Sequence, residues 1–321
     1  MKKLFVLLAL CFILVSCSDK AVENDYSESL DTAVEKYGPV FEAEDGTLIS
    51  LYKSREKSAY TDDLTAVKDF ADKCTVPVYV AFPPRKMDAL TSLLPKELPT
   101  GHSEYLYRLA ENTFKDSSAS YVDLYSALRG TEGTYFTTDH HWTEKGAYLA
   151  YCEIVGAMGK TPVDRESLRS ETLIESFKGS DHTKYPESEK EESVIGSYPD
   201  GVYTVENVVY PYDTKENNTV MYGFFDYSKI KSYEPYAVYL GGNNPYVRVK
   251  GEGDRETIVI LRDSFANAIA PYLAAHFDLV LVDPRFYPDG ISGVVERENA
   301  KCVLVLENMG SVTESDIKIK W

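Results

Sequence analysis

Short apolar runs of strand type alternate with segments of helical spacing over much of this chain. The clearest runs are residues 76–82 (VPVYVAF), 257–261 (TIVIL), 278–283 (DLVLVD) and 301–306 (KCVLVL). Runs that are apolar throughout are typical of strands buried on both faces of a parallel sheet. Segments such as 61–73, where apolar residues recur every three or four positions, favour helices. The alternation predicts an α/β domain with a mainly parallel sheet.

The pattern changes between about residues 161 and 235, where the chain is polar and rich in turns. This stretch contains the charge run 187–192 and short alternating strands such as those within 201–212. It predicts a β-rich insertion at about 161–235, after which the α/β pattern resumes with a strand at 237–240. We expect the two α/β segments to form one sheet, so that residues 37–321 are a single domain with an insertion.

The N-terminus has the pattern of a targeting segment. Two lysines precede the apolar run 4–15, which has the length of a signal-peptide core and is too short to span a bilayer. The run ends in Leu-Val-Ser-Cys, which resembles the bacterial lipobox. That resemblance implies that residues 1–16 are a lipoprotein signal peptide and that Cys17 is lipidated. The acidic stretch 17–36 would then be a tether, and the protein an extracytoplasmic, membrane-anchored lipoprotein; the alternative is a plain secretory signal with an incidental cysteine.

Charge and composition exclude some classes of partner. The net charge is −17, whereas nucleic-acid binders and polybasic membrane-surface modules need basic surfaces. The 25 tyrosines suit a hydrogen-bonding, sugar-binding surface or ordinary β-rich packing. Cys74, Cys152 and Cys302 are scattered through apolar stretches without the spacing of a zinc site. They are small buried side chains, or two of them form one disulfide.

Two adjacent histidines follow an aspartate immediately before a predicted amphipathic helix that Thr143 caps. In an extended segment, Asp139 and His141 point to the same side and can approach one reaction centre together. A carboxylate beside an imidazole fixes its tautomer and stabilises the imidazolium, as in a catalytic triad. The alternatives are a surface turn, or half of a metal site built on Asp139, His140 and His141. No second histidine or aspartate cluster has recognisable ligand spacing, so a metal site is not predicted.

A serine stands just beyond the buried strand 257–261, in the sequence Arg262-Asp263-Ser264. The carboxyl ends of parallel strands are where α/β sheets place their sites. At such a position the Ser264 hydroxyl would project from the edge of the sheet, and the N–H groups of the following turn would be available to an oxyanion. The alternative is that Ser264 only caps a helix.

Residues 139–142 (DHHW) and 263–265 (DSF) together resemble the DHHW-motif proteins, related to the alginate O-acetyltransferase branch of SGNH hydrolase-like proteins. The resemblance implies an SGNH hydrolase-like three-layer α/β sandwich with a mainly parallel sheet. It also implies that Ser264 is the nucleophile, His141 the general base and Asp139 its orienting partner. No cofactor is implied.

The resemblance also implies an oxyanion hole and raises a question about it. An SGNH-type hole combines the N–H of the nucleophile with a glycine N–H and an asparagine side chain, for which Gly242 with Asn243 or Asn244 are the candidates. SGNH enzymes usually have glycine before Asp-Ser, whereas this chain has Arg262. An arginine there would alter the turn or contact an anionic substrate. His140 occupies a variable position of the motif and receives no catalytic role.

These features predict acyl transfer through a seryl ester, as an O-acetyltransferase or an acetylesterase acting on an extracellular polysaccharide. A membrane-bound acyltransferase that supplies acetyl groups is implied by resemblance. A strongly anionic acceptor would need basic side chains at the site, for which Arg85, Lys86 and Arg262 are the candidates. The alternative function is a non-catalytic, glycan-binding surface lipoprotein with an idle triad.

Overall fold

The structure, a computed structural model, describes residues 32, 34–52, 57–98, 101–310 and 319. The predicted signal peptide 1–16, the lipidation site Cys17 and most of the predicted tether lie outside the described residues. Within the described ranges, no helix combines the length and the apolar character that crossing a membrane requires.

Twelve strands are described. In chain order they are β1 (Val40–Glu42), β2 (Leu48–Ser50), β3 (Val78–Ala81), β4 (Ser120–Val122), β5 (Arg169–Phe177), β6 (Glu192–Tyr198), β7 (Thr204–Asn207), β8 (Thr219–Tyr222), β9 (Tyr246–Lys250), β10 (Thr257–Arg262), β11 (Asp278–Val282) and β12 (Cys302–Leu306). Eight of them form a central sheet in the order β4-β3-β12-β10-β11-β9-β7-β8. The sheet is parallel from β4 to β11 and antiparallel from β11 to β8. It is therefore a mixed sheet, with its parallel part built as predicted from both α/β segments.

The helices that lie wholly within the described residues are α1 (Lys57–Lys73), α2 (Lys86–Ala89), α3 (Gly101–Phe114), α4 (Leu124–Leu128), α5 (Glu144–Ala157), α6 (Ser180–Lys184), α7 (Phe265–Leu273) and α8 (Ile291–Arg297). Short 3₁₀ turns lie at Thr91–Leu93, Arg165–Ser167, Tyr227–Lys229 and Pro235–Val238. Helix α5 begins as the sequence predicts, because the Thr143 hydroxyl accepts a hydrogen bond from the Gly146 N–H at 3.3 Å.

Two hydrophobic clusters cover the two faces of the central sheet. Along β10, Ile258 and Ile260 belong to the cluster that contains α5 and α7. Val259 and Leu261 belong to the other cluster, which contains α1, α3 and α8. Successive side chains of a strand point to opposite faces, so burial on both faces explains why the run is apolar throughout. The predicted three-layer α/β sandwich is confirmed.

The region predicted as an insertion is only partly separate from the sheet. Strands β5 and β6 form their own antiparallel pair, but β7 and β8 extend the central sheet beyond β9. The predicted strand at 237–240 is wrong: Pro235 opens a 3₁₀ turn there, and Leu240 has a positive φ of 55°. Proline pre-sets a helical φ at the start of a turn, and this local geometry prevails over the apolar run that follows.

The three cysteines within the described ranges are free thiols. Cys302 is buried in β12, whereas Cys74 and Cys152 are partly exposed. The alternative of a disulfide among them is therefore not realised.

Candidate active site

The predicted nucleophile lies at the carboxyl edge of the parallel part of the sheet. Ser264 follows the end of β10 by two residues and directly precedes α7. Asp139 and His141 come from the loop between α4 and α5. The fold thus brings together residues that are more than a hundred positions apart in the chain.

Ser264, His141 and Asp139 form a hydrogen-bonded chain. The His141 Nε2 lies 2.7 Å from the Ser264 Oγ, and the His141 Nδ1 lies 2.6 Å from the Asp139 Oδ1. His141 and Asp139 are buried, whereas Ser264 is partly exposed. Because a carboxylate only accepts, the proton of neutral His141 lies on Nδ1, and the lone pair on Nε2 faces the serine hydroxyl. This is the tautomer that a general base requires.

The Asp139 carboxylate is held by several N–H donors. Its Oδ1 also accepts the backbone N–H of His141 at 2.9 Å, and its Oδ2 accepts the N–H of Ser180 at 2.7 Å. Burial opposes ionisation, but the neighbouring histidines and these hydrogen bonds outweigh it and hold the pKa of Asp139 well below its usual range. The carboxylate therefore remains ionised at neutral pH and can stabilise a histidinium.

Gly179 packs directly against the Asp139 side chain. A Cβ at residue 179 would lie 2.2 Å from the Asp139 Cβ and 2.4 Å from its Oδ2, well inside contact distance. The backbone φ of Gly179 is −97°, so the requirement for glycine is close approach and not a left-handed conformation. No larger residue fits beside the carboxylate without moving it.

We expect Gly179→Ala to lower the rate of the reaction at Ser264 by roughly tenfold to a hundredfold, because the methyl group displaces Asp139 and a misplacement near 1 Å has effects of that size. The measurement is kcat for an activated acetyl ester. Gly156→Ala is the matched control, since a Cβ at this helical glycine meets nothing within 4 Å. Equal rates for the two variants would contradict the expected role of Gly179.

A buried lysine fixes the backbone of the catalytic loop. The Lys86 Nζ donates to the carbonyl oxygens of Leu48, Thr137 and Asp139, and lies 3.3 Å from the Asp181 Oδ2. Burial lowers the pKa of Lys86, and the Asp181 carboxylate opposes that shift. Lys86 therefore connects the loop to β2 and to the segment that carries α6.

The Ser264 hydroxyl does not cap the helix that it precedes. Instead, the Asp263 Oδ1 accepts the N–H of Phe265 at 2.9 Å, and its Oδ2 accepts the N–H of Asn308 at 2.7 Å. Because the Asp263 carboxylate accepts these backbone N–H groups, the Ser264 hydroxyl is available to bond to His141. The alternative that Ser264 acts as a helix cap is not what the structure shows.

Aromatic side chains surround the His141 ring. Tyr236 stacks on it with ring centroids 3.8 Å apart and an angle of 3° between the planes. Trp142 is fully buried, and its Nε1 donates to the Phe265 carbonyl at 3.1 Å, which connects the two sequence motifs. The His140 Nδ1 lies 2.5 Å from the Ser180 Oγ, so His140 does not join the hydrogen-bonded chain.

Three of these contacts were not predicted from the sequence: those of Gly179, Ser180 and Tyr236. All three residues follow the catalytic loop by about forty positions or more, and no local motif marks them. The stretch 161–235 was interpreted as an insertion. It is polar and rich in turns, so nothing in its sequence distinguishes the glycine that contacts Asp139. Only the three-dimensional path of the chain shows this contact.

The three residues of the triad line a cleft of about 390 Å³. Besides the triad, its walls include α6 residues, the segment 233–237 and Arg285. Lys184 and Arg285 are the basic side chains among the lining residues. The sequence candidates for this role were wrong: Arg85, Lys86 and Arg262 are each buried, because they hold neighbouring parts of the fold together.

The three oxyanion-hole candidates differ in position. Gly242 and Asn243 line the cleft, whereas Asn244 lines a different pocket beside β7 and β8. The Gly242 N–H already donates to the Tyr239 carbonyl at 3.1 Å within its own turn. Of the three candidates, the Asn243 side chain is thus the donor that remains in the cleft that Ser264 lines.

The metal alternative rests on Asp139, His140 and His141, whose ligand atoms lie within 4.8 Å of one another. The inward-facing atoms of this group already have partners. The two ring nitrogens of His141 contact Asp139 and Ser264, and the Nδ1 of His140 contacts Ser180. This arrangement fits proton transfer better than metal ligation.

Charged residues also stand at the ends of the three neighbouring parallel strands. Asp263, Asp283 and Glu307 follow β10, β11 and β12, and Arg285 pairs with Asp283 at 2.6 Å. Burial raises the pKa of Glu307 to about 8, and the Asp263 and Asp283 carboxylates contribute in the same direction. Glu307 is therefore mainly protonated at neutral pH in the folded protein.

The contribution of Glu307 to the free energy of unfolding should fall as the pH rises from about 4.5 to about 8, because the folded state retains a proton on Glu307 that the unfolded state releases. The expected slope from this group is on the order of 1 kcal/mol per pH unit. The free energies of unfolding from urea titrations at several pH values should show this slope as the difference between the wild type and Glu307→Gln. Glu256→Gln, at an exposed glutamate, is the control; identical pH profiles for the wild type and Glu307→Gln would contradict the prediction.

The fold and the site geometry together define an α/β protein with an SGNH-like serine–histidine–aspartate arrangement. A family model described as "DHHW protein" matches residues 105–283, more than half of the chain. The chain therefore belongs to the DHHW family. No curated protein sequence matches it.

Solved structures support the same fold. A DHHW family protein from Eubacterium siraeum is 20% identical, with a TM-score of 0.67 over 84% of this chain and 90% of its own. Bacillus cereus PatB1, solved with a sulfonyl adduct, is 19% identical, with a TM-score of 0.66 over 88% and 98%. The O-acetyltransferase domain of Pseudomonas putida AlgJ is 13% identical, with a TM-score of 0.51 over 87% and 94%. Membership of the DHHW family is confirmed, and the predicted relationship to the O-acetyltransferase proteins is confirmed at the level of the fold.

Proposed function

We propose that this protein transfers acetyl groups through a covalent ester on Ser264, as an O-acetyltransferase or acetylesterase acting on an extracellular polysaccharide. The observation that carries the proposal is the Ser264–His141–Asp139 chain, with contacts of 2.7 and 2.6 Å at the wall of an open cleft. Nucleophile, base and orienting carboxylate at such distances are the signature of nucleophilic catalysis.

In the first half of the reaction, the Ser264 Oγ attacks the acetyl carbonyl while His141 Nε2 accepts the hydroxyl proton. Asp139 stabilises the resulting histidinium, and donors in the cleft receive the negative charge of the tetrahedral oxygen. The C–O bond to the donor alcohol then breaks, and His141 returns its proton to the departing oxygen. The acetyl group remains as an ester on Ser264.

In the second half, His141 accepts a proton from a sugar hydroxyl or from water, whose oxygen attacks the acetyl-serine. The ester bond to Ser264 breaks, and the serine oxygen recovers a proton from His141. A sugar hydroxyl gives transfer and water gives hydrolysis. These steps need no metal or cofactor.

The walls of the cleft suit a carbohydrate acceptor. The Tyr233 side chain is 83% exposed at its rim, and aromatic rings provide stacking surfaces for the apolar faces of sugars. Lys184, Glu234 and Arg285 supply charged groups that can bond to hydroxyls. The matched domain of AlgJ is an O-acetyltransferase domain, which supports the same chemistry here.

The proposal extends to where the protein works. Lipidation at Cys17, after removal of residues 1–16, would anchor the domain at the membrane beside the cell-surface polymer. A membrane-bound acyltransferase would then supply the acetyl groups. The lipobox-like sequence supports the anchor, and the resemblance to acetylation systems supports the partner.

The alternative, a glycan-binding protein with an idle triad, gains weight from Arg262 in place of glycine. The Arg262 side chain is fully buried and bonds to neighbouring protein groups, so it does not obstruct the cleft in front of Ser264. Ordered triad contacts and a clear approach to the serine favour catalysis over binding alone.

Incubation of the purified protein with p-nitrophenyl acetate, with and without an oligosaccharide acceptor, tests the proposal. The expected result is release of p-nitrophenol above background, with the acetyl group recovered as acetate or on the oligosaccharide. Transfer to sugar would identify an acetyltransferase, and acetate alone an esterase. No release of p-nitrophenol above background, either with or without the oligosaccharide, would contradict both forms of the proposal.

A further inference from the structure

Arg262 stands where SGNH enzymes usually have glycine, and its surroundings suggest why. We propose that Arg262 is a positioning residue that orients the Asn243 side chain as the oxyanion donor opposite Ser264. This inference rests on the proposed acyl-transfer function and deepens it.

The Arg262 guanidinium holds the loop of residues 242–244. Its Nη1 donates to the Asn243 Oδ1 at 2.8 Å, and its Nη2 donates to the Asn244 carbonyl at 3.0 Å and to the Gly242 carbonyl at 3.4 Å. The same Nη1 donates to the Oδ1 of Asn267, on α7, at 2.9 Å. One buried cation thus joins the loop to the helix that begins just after Ser264.

These bonds determine which way the Asn243 amide faces. A guanidinium has only donors, so the atom of Asn243 that contacts it must be the oxygen. The Asn267 Nδ2 reinforces this assignment by donating to the same Oδ1 at 3.1 Å. Within the described part of the chain, the Asn243 Nδ2 donates to no protein group, and the residue lines the cleft together with Ser264. The free amide donor thus belongs to a residue that lines the cleft, where a substrate can reach it.

Arg262 also couples this donor to the nucleophile. It is the last residue of β10, two positions before Ser264, so the strand that places the serine also places the guanidinium. Burying a cation is costly, and an apolar side chain would commonly fill such a site as well or better. The planar guanidinium of arginine can donate to several carbonyl oxygens at once, as it does here. This explains why an arginine occupies position 262, whereas packing alone does not.

Asn243→Asp separates this role from a structural one. Aspartate retains an oxygen that accepts from Arg262, so the thermal stability should be unchanged or higher. The free Nδ2 donor, however, becomes a carboxylate oxygen that repels the oxyanion. We expect kcat for p-nitrophenyl acetate to fall by about 10² to 10³, the effect of removing one oxyanion donor, with little change in KM.

Arg262→Lys tests the coupling, because a lysine ammonium lacks the fork that holds Asn243. We expect a lower kcat, and we expect the effect of adding Asn243→Ala to be much smaller in this background than in the wild type. Arg248→Lys is the matched control. Arg248 likewise bonds to two partners, at 2.6 Å to Glu298 and 3.2 Å to Glu206, but lies outside the cleft, so its kcat should match the wild type.

The outcomes are distinct. A stable Asn243→Asp protein with wild-type kcat would overturn the inference, as would multiplicative effects of Arg262→Lys and Asn243→Ala. If Arg262→Lys does not fold, Asn243→Asp still decides whether the donor is required. A wild-type protein that is itself inert toward acetyl esters would overturn the proposed function, and with it this inference.

Discussion

Ser264→Ala should lower kcat for the hydrolysis of p-nitrophenyl acetate by about 10⁶-fold while leaving the thermal stability close to that of the wild type. The large loss is expected because the Oγ both attacks the acetyl group and carries it between the half-reactions. Stability should change little, since the hydroxyl bonds to His141 and does not cap α7. The measurement is kcat together with a thermal unfolding curve.

Ser193→Ala is the control for this experiment. Ser193 is an exposed serine on β6, and its hydroxyl donates to the Glu175 carbonyl at 3.4 Å. This variant should retain full activity. Retention of activity by Ser264→Ala would show that the observed hydrolysis arises elsewhere on the protein.

Asp139→Asn is expected to have the second largest effect, a loss of about 10⁴ in kcat. Both oxygens of Asp139 accept N–H donors: Oδ1 from the ring and backbone of His141, and Oδ2 from Ser180. An asparagine that turns its NH₂ toward His141 forces the ring into the tautomer whose Nε2 carries the proton, which deprives Ser264 of its base. An asparagine that turns its NH₂ toward the Ser180 N–H places two donors against each other, and in both cases the negative charge that stabilises the histidinium is lost.

The pH profile distinguishes this mechanism from general destabilisation. Because Asp139 no longer supplies a negative charge, activity of the variant should rise toward high pH, where hydroxide can replace the missing base. Asp164→Asn is a control at an exposed aspartate that accepts the Glu166 N–H at the start of a 3₁₀ turn. An Asp139→Asn enzyme with wild-type kcat at neutral pH would show that His141 needs no carboxylate, contrary to the mechanism.

The sequence was sufficient to predict the parallel half of the sheet. Runs such as 257–261 and 301–306 are buried on both faces, so their composition alone indicates their environment. The antiparallel half was not predicted correctly. Strand β9 alternates apolar with charged residues, and β7 and β8 have only four residues each, so these strands depend on pairing that a local pattern does not show.

In the site, too, the contacts between residues close in sequence were predictable, and those between distant residues were not. Asp139 and His141 are two residues apart, so their proximity follows from local geometry, and the family resemblance supplied Ser264. The glycine that contacts Asp139 comes from the stretch predicted as a β-rich insertion, and the tyrosine that stacks on His141 directly follows that stretch; no local pattern connects either residue to the catalytic loop. Arg262 was interpreted as a departure from a pattern because its partners, Asn243 and Asn267, become neighbours only in the folded chain.

Covalent labelling with an aryl sulfonyl fluoride, mapped by mass spectrometry of peptides, tests the central claim most directly. PatB1, which has the same fold, has been solved with a sulfonyl adduct, so this class of reagent is a suitable probe. A serine activated by His141 should react once, on the peptide that contains Ser264, and the reaction should be lost in His141→Ala. An unlabelled Ser264 in the folded wild-type protein, or equal labelling with and without His141, would contradict the account.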